Sequence, residues 1–455
     1  KKICYKNISL LAICYGLSLC SSTLTTASGT LAAKSIGASR AMSAFALGAL
    51  LIGAAVASWS SSVLFELCGR RFGFIIGATC GCIGGLLGFS ALQFVQEWNL
   101  LLISCFLIGL SEGIAFFLRF AATELYEQFN EKSQAVTFVL AGGIIAAIAG
   151  PQAAVHSRRI FDLHEYTGCF ALVFLANTLE IILLCFIDFS KEKRINNVDA
   201  QLHLLPPSTE AVQRQSIWSI VISRPACVSA ITLASMSMTA MVMLMSPLTL
   251  AMKHAGFSFQ LISLTLELHF LGMYAPGLFG SSVLILKSPY LASFLGLLIF
   301  SAAAALLASG QYLYNFAVGM CLCGLAWNLT FSAATVLLTT TYLPEEALRL
   351  QAINDGFILT FAGLGSFASG YIYVSHSWNY LIFIVSGLMV LCAFGLFLWR
   401  ILAYFLSSHS FKRISMNQLS QDQDDEEAAV AVQDDNNVVS PMTRQHSCNN
   451  DNFSS

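Results

Sequence analysis

Apolar residues run along this chain in twelve long blocks, each closed off by polar or turn-forming clusters. The blocks fall near 8–33, 41–64, 73–94, 99–120, 134–156, 166–187, 223–252, 260–286, 290–309, 312–341, 352–374 and 378–406. A helix rises 1.5 Å per residue, so ~20 apolar residues cross the ~30 Å hydrocarbon core of a bilayer. The pattern therefore predicts an all-α integral membrane protein with twelve transmembrane helices. The first block is too long for the apolar core of a signal peptide and has no clear cleavage site, so it counts as a span. An even number of spans puts both termini on one side. Lys and Arg divide 18 to 5 between the two sides, with the richer side holding both termini. Positive charge is retained on the cytoplasmic face, so both termini are expected there, in a plasma membrane or bacterial inner membrane.

The longest polar stretch between spans, 188–216, carries Lys191, Lys193, Arg194, Pro206 and Pro207. It separates a six-helix bundle at 1–187 from a second at 217–406, with 407–455 left as a tail. Three short matches recur in order at nearly one offset. Ser61-Ser-Val-Leu64 returns as Ser281-Ser-Val-Leu284, Gly109-Leu110 as Gly324-Leu325, and Gln134-Ala135 as Gln351-Ala352. Parallel repeats of this kind predict two pseudo-symmetric bundles that rock against one another. The tail holds eight acids among many Asn, Gln and Ser. It offers too little apolar surface to offset chain entropy and is expected to be disordered.

Composition removes whole classes of function. Of 455 residues, 56% are hydrophobic and only 11% are charged, against roughly 25% charged in a soluble domain. That excludes a soluble enzyme. A net charge of −2 with no basic block leaves no footprint for nucleic acid. The 14 cysteines lie mostly inside apolar blocks and are expected to be small packing residues. Neither Cys80-x-Cys82 nor Cys321-x-Cys323 has the spacing or histidines of a zinc site. No phosphate-binding G-x-x-x-x-G-K-[ST] loop is present, so no cofactor, metal or ATP-driven step is expected.

The loop after the second block reads Ser62-Val-Leu-Phe-Glu66-Leu-Cys-Gly69-Arg70-Arg71-Phe-Gly73. Gly69 permits a tight reversal, the arginines hold the loop in water, and Glu66 is an anion in need of a partner near the membrane boundary. This loop resembles the G-x-L-x-D-R-x-G-R-R signature of the major facilitator superfamily, with Ser62 in place of the first glycine and Leu67 in place of an arginine. Gly142-Gly143-Ile-Ile-Ala-Ala-Ile-Ala-Gly150-Pro151 is similar to that superfamily's fifth-helix motif. Its glycines offer a smooth packing face, and Pro151 favours a kink. Phe117-Leu-Arg119-Phe-Ala-Ala-Thr-Glu124, Gly324-Leu-Ala-Trp327-Asn328, Pro344-Glu345-Glu346, Gln351-Ala-Ile-Asn354-Asp355 and His269-Phe-Leu-Gly272-Met-Tyr-Ala-Pro276 resemble a poorly characterised, mostly bacterial branch. The resemblance implies the major facilitator fold and solute transport. It also implies a cytoplasmic gate at Glu66, Gly69, Arg70, Arg71, Arg119, Asn354 and Asp355.

Ionisable residues inside the bilayer are functional candidates, because an unpaired charge at a helix centre costs roughly 3 kcal/mol on insertion scales. Glu112 lies about 13 residues into its span, ~20 Å deep at the helical rise, and two turns before Arg119. Glu267 and His269 approach the midplane in the eighth span. Trp327 and Asn328 match the depth of Glu112 in the corresponding span of the second bundle. These five residues are the candidate proton or solute site. For each there is a packing alternative: Glu112 braced on Arg119, His269 hydrogen-bonded in the core, Trp327 and Asn328 as interhelical contacts, and Asn354 and Asp355 as helix caps. The expected protein is a monomeric secondary transporter, symporter or antiporter, moving a small organic solute, with protons as the expected coupling ion. A non-transporting receptor or adaptor on the same fold is the alternative.

Overall fold

In the computed structural model the chain is described over residues 2–123, 135, 138–161, 165–189, 217–278, 285, 288–342, 346–395 and 397–398. Residues 190–216 of the expected linker (188–216), most of the acidic tail, the Ser281–Leu284 repeat segment and Glu124 lie outside the described residues. The helices named below, up to Phe394 of the last, belong to one compact unit, Lys1–Phe394; of the second unit, Gly395–Ser455, three residues are described.

The apolar blocks fold as helices. The first set comprises α1 (Lys2–Ser35), α2 (Arg40–Ser43), α3 (Phe45–Ser90), α4 (Trp98–Ala115), α5 (Leu118–Thr123), α6 (Gly142–Ser157) and α7 (Thr167–Cys185). The second set comprises α8 (Ile217–Ser223), α9 (Pro225–His254), α10 (Phe259–Tyr274), α11 (Pro289–Ala308), α12 (Leu313–Thr339), α13 (Ala347–Ser375) and α14 (Trp378–Gly395). Among the described residues, ten helical segments are long and apolar enough to cross a membrane. One of them, Phe45–Val95, has 51 residues and would span ~76 Å if it were straight, more than twice the hydrocarbon thickness. Two blocks were expected there, and the helix is interrupted where they meet. Gly69 sits at φ 74°, ψ 164°, a backbone conformation open to glycine and strained for residues with a Cβ. At its far end this segment widens into a π turn, Ala91–Val95, and stops at Gln96 in the left-handed region.

The two ends of the molecule differ in how they are packed. Near Gly37 and Gly256, one continuous apolar core runs through both sets, joining Leu24, Leu50 and Phe170 to Met241, Phe316 and Trp378. Near Gly69 each set keeps its own core among the described residues. Leu11, Phe65, Phe74 and Phe117 form the first, where Ala352 is the one buried member from α13. Cys227, Ile231, Leu338 and Leu350 form the second. Between the sets, α3 lies on α13 and α6 on α10. At the Gly37 end Phe45 meets Phe367 edge-on at 4.9 Å, and the Arg158 guanidinium lies 4.9 Å from the Phe259 ring. Tyr166 packs on the same Phe259 at 5.4 Å. Burial first, and Glu165 beside it second, push the Tyr166 phenol up to about 12, so it stays neutral in this apolar seam.

Within each set, glycines permit helices to touch backbone to backbone. A Cβ at Gly109 of α4 would overlap the Leu50 carbonyl of α3, and one at Gly53 of α3 would overlap the Phe106 carbonyl of α4. In the second set, Gly324 of α12 abuts the His269 carbonyl of α10, and Gly272 of α10 abuts the Cys321 carbonyl of α12. Gly142 and Gly150 press α6 onto α1, against the Ala12 carbonyl and the Thr23 hydroxyl. Thr23 Oγ1 also donates to the Ala146 carbonyl at 3.2 Å across that contact. Pro151 stands inside α6 and leaves the Ala147 carbonyl without its usual amide donor.

Candidate functional site

Four helices bring polar side chains to a single level. Ser22 lies 13 residues before the end of α1, while Glu112, Trp327 and Tyr274 lie 14, 14 and 15 residues after the starts of α4, α12 and α10. At 1.5 Å per residue all four sit roughly 20 Å from the Gly37 end. Glu112 is buried, hydrogen-bonds with Ser22, and has no partner on Oε2. Tyr274 stands in the electrostatic field of Tyr15, Glu112 and Arg119, and Tyr15 in that of Arg119, Glu112 and Asp355. These groups form one cluster on α1, α4, α5, α10 and α13, drawn from both sets.

Further toward the Gly69 end, α4 stops at Ala115 and the chain restarts as α5 at Leu118. Arg119 follows at once. Its Nη2 lies 2.7 Å from Asp355 Oδ2, with both side chains nearly excluded from solvent. The guanidinium rests over the Phe120 ring at 4.6 Å and the Phe116 ring at 5.9 Å. Asn354 Nδ2 donates to the second carboxylate oxygen of Asp355 at 3.0 Å. This arrangement departs from two expectations. Asn354 and Asp355 are not caps, because α13 begins at Ala347 and they stand two turns inside it. Among the described residues Arg119 is not ion-paired with Glu112; it joins α5 to α13 instead.

Glu66 is exposed beside Gly69. Arg70 is buried with its guanidinium 5.5 Å from the Phe65 ring. Arg71 donates to the Ile187 carbonyl at 2.5 Å and lies over Phe189 at 6.0 Å, tying this loop to the chain leaving α7.

The expected pair in the eighth span is not brought together. Two residues apart on a helix, Glu267 and His269 face different neighbours. Glu267 Oε2 accepts from Gln152 Nε2 of α6 at 2.6 Å, a contact between the two sets. His269 is fully buried against α12, where its Nδ1 bonds the Met320 carbonyl at 2.8 Å and Nε2 has no partner. Asn328 Nδ2 donates to the Met273 carbonyl at 2.7 Å, while its Oδ1 is left without a partner. Trp327 stacks on Phe331 with centroids 4.6 Å apart and meets Tyr274 edge-on at 6.4 Å. Its indole Nε1 is buried and also lacks a partner.

A sequence model described as Major Facilitator Superfamily matches residues 11–286, more than half of the chain. The chain belongs to the major facilitator superfamily. Similar curated proteins include the riboflavin transporter RfnT of Brucella anthropi, 22% identical over 388 residues, 85% of this chain and 94% of that protein. The uncharacterised MFS-type transporter YddS of Bacillus subtilis is 25% identical over 364 residues, covering 75% of this chain and 76% of its own. Among solved structures, the xylose transporter XylE of E. coli in a partially occluded inward-open conformation superposes with a TM-score of 0.63. It is 15% identical and covers 88% of this chain and 98% of XylE, a likeness that shows the fold. The protein is thus a multi-pass membrane transporter, not an enzyme.

In this superfamily member the cluster and its surroundings include residues that sequence patterns did not single out. Tyr15, Ser22, Gln152, Tyr274 and Phe331 are ordinary polar or aromatic residues in apolar blocks. One signal was available: Tyr274 lies in the His269–Pro276 stretch, and its depth equals that of Glu112. Glu180 stands apart from this site. It is buried in α7 with Oε2 lacking a partner, facing Cys14 and Cys82 inside the first set rather than between the sets.

Proposed function

We propose that this protein is a secondary active transporter that moves a small organic solute by alternating access, coupled to protons through Glu112. The fold is proposed as twelve spans in two pseudo-symmetric bundles, residues 1–187 and 217–406. Both termini, the linker 188–216 and the tail 407–455 lie in the cytoplasm. The membrane is the plasma membrane or a bacterial inner membrane, and the unit is a monomer. One observation carries the proposal: a buried carboxyl group without a cation partner stands at mid-depth between the two sets of helices. A bare charge is costly to occlude in a dry passage. A proton that neutralises Glu112 removes that cost, so loading the proton and closing the passage are linked. The matched glycine contacts of α3 with α4 and of α10 with α12 support two units of the same construction. The ion pair of Arg119 with Asp355 supplies a latch between them on the side proposed as cytoplasmic.

The test is uptake into proteoliposomes holding the full chain, with and without a pH gradient. Riboflavin serves as the first probe, with xylose and uracil as comparators. The gradient is expected to drive accumulation of one probe by wild type. Glu112→Gln is expected to lose that dependence while still exchanging solute at equilibrium. Equal dependence on the gradient in both proteins would remove Glu112 from the coupling.

A further inference from the structure

Resting on the transporter reading above, we infer that the solute subsite at Trp327 takes an uncharged, planar heteroaromatic ring whose edge carries a carbonyl beside a ring N–H. Three features of the wall point there. Trp327 and Phe331 form a stacked aromatic pair, 4.6 Å apart and inclined by 20°, and Tyr274 closes on it at 74°. Flat apolar surface of this kind favours a ring over a flexible polyol.

The polar atoms beside that wall are few and complementary to one edge chemistry. Trp327 Nε1 is a donor only, and Asn328 Oδ1 is an acceptor only. Both are buried without partners, a condition that a ligand with the matching edge relieves. A ring carbonyl satisfies the indole N–H, and an adjacent ring N–H satisfies the amide oxygen. Asn328 cannot turn its amide over to offer a donor instead, because Nδ2 is held by the Met273 carbonyl at 2.7 Å. Glu112 Oε2 adds one further site at the same depth.

Charge excludes the anionic alternatives. Near this level Arg119 is the cation the described helices supply, and Asp355 already neutralises it at 2.7 Å. A phosphate ester would have to break that pair or enter with no counter-charge, and a buried ion without a partner is strongly disfavoured. A sugar would need a fan of free amides and hydroxyls, whereas the Asn328 amide is already half used, the Gln152 amide is held by Glu267 at 2.6 Å and Ser22 is engaged with Glu112.

The test uses the purified full chain in detergent, reading thermal stabilisation and fluorescence titration. The probes are lumichrome (the fused ring alone), its N-methylated imide analogue, riboflavin, flavin mononucleotide, ribitol and xylose. Lumichrome and riboflavin are expected to stabilise the protein. The N-methylated ring and the phosphorylated flavin are expected to bind at least tenfold more weakly, and ribitol and xylose not to bind. Trp327→Phe, which keeps the stack and removes the donor, is expected to weaken lumichrome about tenfold, whereas Trp218→Phe leaves it unchanged. Stabilisation by ribitol or xylose without lumichrome would overturn the inference, as would equal binding of the methylated and unmethylated rings. Gradient-driven uptake of xylose with no binding of lumichrome would end the ring subsite and leave the transporter standing.

Discussion

At the scale of single residues, the most consequential contact is the buried ion pair of Arg119 with Asp355. Removing one member of such a pair strands a charge in low dielectric and costs ~3–5 kcal/mol, whereas replacing both with apolar groups is often neutral. Asp355→Ala is therefore expected to lower the melting temperature in detergent sharply. Arg119→Met with Asp355→Leu is expected to restore most of the stability while leaving transport lost. Equal losses in the single and double variants would argue against a coupled pair. The Arg159 bridge to Glu165 is the control. Its side chains are 69% and 42% exposed, and exposed pairs contribute ~0–1 kcal/mol, so Arg159→Ala should leave the melting curve nearly unmoved. The family resemblance singled out Arg119 and Asp355 as gate residues, while the packing alternatives read from the sequence set Arg119 against Glu112 and made Asp355 a cap. Depth along a helix is readable from hydrophobic blocks, whereas the azimuth of a side chain around its helix is not. The start of α13 was also placed five residues late, at 352 rather than Ala347, because Leu348, Arg349 and Gln351 read as loop.

At the scale of elements, the glycines decide how closely helices approach. Alanine at an unhindered helical site gains up to ~1 kcal/mol over glycine in propensity. At Gly109 and Gly324 the added methyl would collide with a carbonyl of the facing helix. Gly109→Ala and Gly324→Ala are thus expected to lower stability despite the better propensity. Gly387→Ala, with nothing within 4 Å of the added Cβ, is expected to raise it by ~0.5–1 kcal/mol. Melting of the three variants side by side checks the prediction, and a stabilised Gly109→Ala would mean that α3 and α4 are not in backbone contact. The Gly109 and Gly324 match was visible as one offset in the sequence. Its counterpart, Gly53 with Gly272, was not, because single glycines recur too often in membrane helices to stand out without knowing which faces they present. Gly69 was legible for a different reason. It stands between two apolar blocks beside a basic pair, and the backbone there adopts a positive φ that glycine accepts without strain.

At the scale of the whole molecule, the asymmetry of the core sets which end must open. One apolar core crosses both sets near Gly37, whereas near Gly69 the sets hold separate cores bridged by Ala352, the ion pair of Arg119 with Asp355, and the contact of Trp59 with Phe357. If the bundles alternate, opening toward Gly37 must part the Tyr166 and Phe259 rings, now 5.4 Å apart, while the Gly69 end closes further. A Tyr166→Cys, Phe259→Cys protein joined by a short bifunctional thiol reagent should therefore bind solute from the Gly69 side and transport none, with transport restored on reduction. Unimpaired transport by the cross-linked protein would show that this seam does not move. The same experiment fixes sidedness through a native thiol. Cys68 is exposed next to Gly69, so a membrane-impermeant maleimide should leave it unmodified in intact cells and modify it once they are permeabilised. Labelling in intact cells would place the Arg70 and Arg71 loop outside and reverse the orientation drawn from the 18 to 5 division of basic residues. Both outcomes follow from where charge and apolar surface lie along the chain, since the bilayer holds the basic loops at one face and the continuous core holds the opposite face shut.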